Sequence, residues 1–193
     1  MRSAEFDKEQ VLRAAIVAFA TKGYSQTSML DLKKATGLHP GSIYCAFENK
    51  QGLLLCALQQ YSDDRSKEFV QLFENAPSVK EGLRRYLNKT VQDLTQQGHQ
   101  CVCLSQKALS EMAQVNPVVE KAVAENIAGW HQGFVNVLQT AIQHNEIDSS
   151  RSAEQRGRYL AMGITGLRIY AQSNNDPGHL AELAQQLLED VYR

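Results

Sequence analysis

The sequence predicts an all-α fold of about nine helices, and three observations carry that expectation. Apolar residues recur at three- and four-residue spacing along most of the 193 residues. No stretch alternates apolar and polar with period two for long enough to make a strand. The breakers, including the four prolines, fall between the periodic segments or at their first turn rather than inside them.

The first helix is capped by Asp7 and carries Val11, Leu12, Ala15, Ile16 and Phe19 on one face, with Gly23 ending it. A new start signal follows in Gln26-Thr27-Ser28-Met29-Leu30-Asp31-Leu32. Thr27 or Ser28 can cap, Asp31 suits the positive helix end, and Met29 and Leu32 face inward. Gly37 stops this short helix. Leu38-His39-Pro40-Gly41 then makes a tight turn, Pro40 being suited to the first turn of a third short helix that ends at Phe47. Two short helices joined by a glycine-containing turn, over residues 27–47, form the signature of a helix-turn-helix.

Longer helices follow, at about 50–74, 79–97, 104–113, 117–145, 153–173 and 177–192. The 79–97 stripe is Leu83, Tyr86, Leu87, Thr90, Val91 and Leu94, and the 117–145 stripe runs from Val123 through Trp130 and Phe134 to Ile142. Residues 96–101, 145–152 and 173–178 read as loops. No internal repeat and no low-complexity stretch is seen. The organisation expected is a helix-turn-helix head at 1–50 and a helical domain at 51–193.

Composition narrows the functions available. The hydrophobic fraction is 43%, the charged fraction 21% and the net charge −1, so the chain is an ordinary globular protein and not a basic coat for nucleic acid. No apolar run approaches a membrane span, and the charged first nine residues lack the core of a secretory signal, which together predict a cytoplasmic protein without a membrane partner. Cys45, Cys56, Cys101 and Cys103 are then expected as reduced thiols, and their spacing offers no C-x2-C pair for structural zinc. His39, His99, His131, His144 and His179 are scattered. With no phosphate loop, no nucleophile triad and no paired acids, the sequence predicts neither catalytic residues, nor an enzyme, nor a metal or cofactor.

Thr27, Leu32, Ala35, Gly37-Leu38, Gly41, Ile43-Tyr44, Phe47, Lys50 and Leu53-Leu54, after an apolar first helix ending in Gly23-Tyr24, resemble the tetracycline-repressor (TetR) family of bacterial regulators. The resemblance covers about residues 8–55 and fixes many residue types across a helix, a turn and a helix together. It implies that Thr27, Tyr44 and Lys50 hold DNA phosphates, while His39, Pro40, Ser42 and Cys45 face the major groove and Gly41 lets the backbone approach. Phosphate contacts set register and groove contacts supply sequence preference. Residues 1–50 carry seven Lys or Arg against five Asp or Glu, a modest local excess. Two residues depart from the pattern: Lys33 stands where a small residue is usual, and Cys45-Ala46 replaces an aromatic or histidine pair.

Beyond the head, the family likeness implies a mostly apolar effector pocket, with Tyr86, Leu104, Ala108, Met112, Trp130, Phe134, Tyr159 and Met162 as candidate lining. Any helical bundle also needs such residues for its core. Cys101 and Cys103 adjoin a helix start, where a thiol can become reactive; the plainer reading is Cys103 as a small buried apolar residue and Cys101 as a loop residue. Gly163 and Gly166 permit close helix approach, and Leu180, Leu183, Leu187 and Val191 make an apolar face; by resemblance these form a homodimer interface matching a palindromic operator. The function expected is a repressor that binds double-stranded operator DNA and is released by a small-molecule effector. A thiol-based electrophile or redox sensor, or a helical dimeric adaptor that binds no DNA, are the alternatives.

Overall fold

The computed structural model describes residues 6–96, 103–112 and 116–193. Among the described residues there are nine helices and no strand: α1 (Lys8–Lys22), α2 (Met29–Thr36), α3 (Pro40–Phe47), α4 (Lys50–Phe73), α5 (Val79–Gln96), α6 (Leu104–Met112), α7 (Pro117–Gln143), α8 (Ala153–Tyr170) and α9 (Pro177–Tyr192). The expected all-α class and helix order hold. The loop expected at 96–101, apart from its first residue, and the last residues expected of the fifth and sixth helices lie outside the described residues.

Helix ends follow their local chemistry. The Asp7 carboxylate accepts the Gln10 amide at 3.1 Å. Ser28 and Asp31 form a reciprocal capping box at the start of α2. Gly37, at φ 75°, ends α2 in the left-handed region, where a side chain would be strained. Ser152 with Gln155 repeats the capping box on α8, and Asp176 caps α9.

The chain packs as two compact units, with α4 and α7 each contributing to both. The first holds α1–α3, α4 through Arg65, α6 and α7 through Ile127. Its core gathers Leu12, Ala15 and Phe19 of α1, Leu32 of α2, Ile43 and Phe47 of α3, Leu53, Leu54 and Leu58 of α4, and Leu104, Ala108 and Met112 of α6. Polar contacts set the rest of its geometry. Arg13 of α1 makes a two-pronged bridge to Asp64 of α4, at 2.9 and 3.0 Å, and the Asn126 amide of α7 donates to the Leu58 carbonyl at 3.1 Å.

The second unit holds α4 from Ser66, α5, α7 from Ala128, α8 and α9. Five rings, Phe69, Phe73, Tyr86, Trp130 and Phe134, meet at centroid distances of 4.7–5.6 Å in tilted and edge-to-face pairs, the geometry that ring quadrupoles favour. The Trp130 indole donates to the Tyr86 hydroxyl at 2.9 Å. A Cβ on Gly163 would overlap the Leu187 methyls, so α8 and α9 touch closely there.

Arg156 of α8 is fully buried in this unit. Its guanidinium donates to the carbonyls of Val191, Arg151 and Asp148 and to the Asp148 carboxylate at 2.8 Å. One side chain thereby satisfies the C-terminal turn of α9 and the loop before α8, which lets a charge stand inside an apolar core.

Candidate nucleic-acid interface

The α2–turn–α3 segment presents α3 outward by burying only one of its faces. Ile43 and Phe47, four residues apart, are buried against Leu32 and the α1 face, while His39, Gly41, Tyr44, Cys45 and Ala46 are exposed and Pro40 and Ser42 are half-buried. Tyr44 is 49% exposed, too much for a residue whose role is packing. The N-cap residue of α3, His39, makes no side-chain capping bond, Pro40 has no N–H, and the Ser42 and Ile43 amides both bond the His39 carbonyl. The positive end of α3 thus has no side-chain cap, and exposed His39 and Gly41 stand there with half-buried Pro40 and Ser42.

Lys50 begins α4 beside this face. Its ammonium sits 4.3 Å from the centroid of the Tyr24 ring, and the residue is half-buried. Burial pulls its pKa below the usual lysine value, against an upward pull from Glu111. Burial also raises the Tyr24 phenol. Asp31 is held well below the usual carboxylate range, first by the 2.6 Å bond from Lys22 and then by Ser28, so the α2 cap is a fixed negative charge at neutral pH. Lys33 is half-buried, as a long stem on a helix-pair surface can be.

Thr27 differs from its expectation. It is fully buried, and its hydroxyl donates to the Gly23 carbonyl at 2.5 Å and approaches the Ala18 carbonyl at 3.4 Å. Its amide also bonds Gly23. Thr27 therefore braces the α1–α2 connection and offers no free atom to a phosphate in this arrangement.

The other expected groups divide. Leu104, Ala108 and Met112 are core residues of the first unit, and Tyr86, Trp130 and Phe134 pack in the second. Tyr159 is half-buried, its hydroxyl 3.3 Å from the Asp190 carboxylate. Met162, expected to line a cavity, is 64% exposed on the outer face of α8 and is corrected to a surface residue. Three of the residues expected on the dimer face are likewise corrected. Leu180, Leu187 and Val191 are buried in the chain's own core, where they hold α9 against its neighbours. The apolar surface left outward on these two helices is Met162, Ile169 and Tyr170 with exposed Gly166 on α8, and Leu183 on α9; Gly163 spaces α8 from α9. Cys103 is half-buried with the Tyr61 hydroxyl 3.4 Å from its sulfur, and Cys101 lies outside the described residues.

Sequence reasoning did not find Arg156, Arg13 with Asp64, or Glu111. Glu111 of α6 accepts the Ser25 amide at 3.1 Å across 86 residues, a contact without a local signal. Among the described residues, no three His, Cys, Asp or Glu side chains are grouped to hold a metal, and no helix is long and apolar enough to cross a membrane.

Comparison with known proteins meets this geometry at both ends of the chain. Residues 11–57 match the bacterial regulatory proteins of the tetR family, and residues 79–187 match the tetracyclin repressor-like C-terminal domain. The chain is 25% identical over 182 residues to the uncharacterised HTH-type transcriptional regulator YezE of Bacillus subtilis, covering 94% of each chain. It is 37% identical over 86 residues to the HTH-type transcriptional repressor ComR of Escherichia coli, 44% of this chain and 41% of that one. A cysteine mutant of the TetR family regulator CifR, solved with 26-bp operator DNA, has the same fold with a TM-score of 0.83, at 24% identity over 97% of this chain and 98% of that one. The chain belongs to the tetR family of bacterial regulatory proteins, and its α2–α3 helix-turn-helix is that of a DNA-binding transcriptional regulator.

Proposed function

We propose that the chain acts as a homodimeric repressor that leaves a palindromic operator when a small-molecule effector binds. The observation that carries the reading is the division of α3 into a buried face, Ile43 and Phe47, and an exposed face, His39, Tyr44 and Cys45 with Pro40, Gly41 and Ser42 at the helix start. In this reading Tyr44 and Lys50 hold phosphates, His39, Pro40, Ser42 and Cys45 meet base edges, and Thr27 supports them from inside the head. Residues 1–50 read DNA, while 51–193 sense the effector and dimerise.

The outward apolar residues of α8 and α9 support the dimer. On a palindromic operator, the two α3 helices of a twofold dimer would occupy successive major grooves about 34 Å apart. Effector binding is read as a shift of α4, the helix that continues directly from the head. Operator and effector must then weaken each other by the same factor. Relatives named as repressors, among them ComR of Escherichia coli, support the sign. The test is selection from a random-sequence DNA library with purified protein at two salt concentrations. A recovered palindrome whose affinity falls steeply with salt supports the reading; no enriched sequence from effector-free protein overturns it.

One observation favours a second reading. The Tyr61 hydroxyl aimed at Cys103 gives that thiol a polar neighbour within the first unit, so Cys103 is proposed as the point where an electrophile or oxidant would act. In a Cys45→Ser background, which takes the exposed thiol off the DNA-reading face, Cys103→Ser should then abolish release of operator DNA by N-ethylmaleimide; unchanged release would remove the Cys103 thiol from the mechanism.

A further inference from the structure

Within the first unit, α4 is held to the head at two places of different chemistry. Leu53, Leu54, Ala57 and Leu58 lie in the apolar core, and after Leu58 every α4 residue of this unit, Gln59 to Arg65, is half-buried or exposed. Asp64, in the last turn of α4 that belongs to the unit, is tied by charge instead. The Arg13 guanidinium of α1 donates from Nε to one oxygen of the Asp64 carboxylate at 2.9 Å and from a terminal nitrogen to the other at 3.0 Å. Glu9, one turn before Arg13, accepts from the same terminal nitrogen at 3.0 Å, and the Gln60 amide donates to Asp64 at 2.9 Å. Each member of the fork is thus oriented by a neighbour on its own helix, and the fork itself runs from α1 to α4.

Such a pair supplies direction more than stability. The Arg13 side chain is 51% exposed and that of Asp64 24%, so the pair adds little to folding. Two parallel bonds between planar groups nevertheless fix an angle as well as a distance. Six residues of helix, ~9 Å, separate Asp64 from Leu58, so a slip of ~1 Å at the fork, with the apolar anchor as pivot, tilts the head against α4 by roughly 6°. We propose that Arg13 and Asp64 are positioning residues for operator recognition: the fork sets the angle at which the head stands on α4, and thereby the half-site spacing that the protein accepts. The inference rests on the reading of the chain as a dimer on a palindromic operator. α4 continues past Arg65 into the second unit, which carries the helices of that dimer reading, so the angle recurs in each subunit and enters the separation of the two α3 helices twice. Neither residue has to touch DNA for this. A fork that only stabilised the fold would affect every duplex alike and leave the preferred spacing unchanged.

The experiment is a cycle of Arg13→Gln, Asp64→Asn and the double variant, with circular dichroism to check that the fold is kept. Binding is measured by fluorescence anisotropy to three duplexes: the palindrome that the parent selects from a random library, the same palindrome with one base pair inserted at its centre, and a duplex with one half-site scrambled. The parent should prefer the selected spacing. Each single variant is expected to narrow that preference about two- to tenfold, the scale of one partly exposed pair in each of two subunits, while binding to the scrambled duplex stays within about twofold. The double variant should do no worse than either single one, because the fork is lost only once. Arg13→Gln and Asp64→Asn change the charge in opposite senses, so an effect of charge on DNA attraction would drive the two apart, whereas loss of the fork moves both the same way. An unchanged spacing preference in either single variant, shifts of opposite sign, or an equal loss on all three duplexes overturns the proposal. Should the parent bind the palindrome and the scrambled duplex equally, the dimer reading fails and the role of the fork with it. Should the parent prefer the palindrome and the variants keep its spacing preference, the dimer reading stands and the fork alone fails.

Discussion

Replacing Arg156 by Met tests whether a buried guanidinium, rather than apolar packing alone, fixes the C-terminal helix. The side chain is fully buried and bonds three carbonyls and the Asp148 carboxylate. Met fills much of the aliphatic stem but donates nothing. Asp148 is exposed, so its half of the contact costs little to lose. The Val191 carbonyl belongs to a residue with no exposure, and an acceptor left unsatisfied there costs about 1–3 kcal/mol. Loss of the bonds to the Arg151 and Asp148 carbonyls adds to this, and relief from desolvating the guanidinium subtracts from it. A net loss of about 2–3 kcal/mol follows, or about 4–12 °C in Tm for a chain of this length. The assay is urea and thermal unfolding followed by the fluorescence of Trp130, the single tryptophan, at one fixed protein concentration because any self-association contributes. A change under about 0.5 kcal/mol would show that water or backbone adjustment replaces the guanidinium, and the reasoning from buried acceptors would be wrong.

Four further outcomes are expected. Tyr44→Phe combined with Lys50→Ala should abolish DNA binding in anisotropy while the circular dichroism spectrum and molecular mass in solution stay as in the parent. Leu183→Glu should shift sedimentation to the monomer, because Leu183 is 45% exposed; Leu180→Glu should instead unfold the chain, because Leu180 is fully buried. Asp31, whose pKa is depressed, contributes stability that is present above its unfolded value of about 4 and is lost as pH falls through the lower folded value. The stability difference between parent and Asp31→Asn in urea titrations should therefore be largest near neutrality and shrink in acid. Ser28→Ala removes the other half of the capping box and should cost about 1 kcal/mol in the same titrations.

The head was legible in the sequence because its signals are local. A cap, a glycine stop, a proline at the first turn and two apolar residues four apart fall within 21 consecutive positions, 27–47, and each fixes backbone geometry by itself. The burial of Thr27 was not legible, because a threonine before a helix offers the same hydroxyl for surface or interior use, and only the Gly23 and Ala18 carbonyls in space decide between them. Helical periodicity tells which residues are apolar but not which of two apolar stripes meets its own chain. α9 carries both Leu180, Leu187 and Val191, which pack inward, and Leu183, which does not; a single hydrophobic face had been expected to hold all four. The 64% exposure of Met162 has the same origin. Arg156 had no signal, since an arginine in a helix reads as a surface residue until its carbonyl partners are known.

The first unit joins two kinds of contact that differ in how they yield. Within the head, α1, α2 and α3 share an apolar core around Phe19, Leu32, Ile43 and Phe47, all 4% exposed or less, and such a core resists partial displacement because its side chains interlock. Around the head, many of the ties to other helices are polar and closer to solvent: Arg13 to Asp64 on α4, Ser25 to Glu111 on α6, and Lys50 resting on Tyr24. Exposed ion pairs and single hydrogen bonds can exchange for water at small cost, and salt screens the charged ones. Apolar anchors between head and α4, Leu53, Leu54 and Leu58, lie in the first two turns and part of the third of that helix, next to the head itself. A small displacement of α4 beyond Leu58 can therefore be accommodated by remaking polar ties while the α3 reading face keeps its shape, whereas α6 is anchored in the head's own core by Leu104, Ala108 and Met112. That division is what a regulator needs. Operator preference stays in a rigid α3, while affinity is set by contacts that a ligand worth about 1–3 kcal/mol of coupling can rearrange.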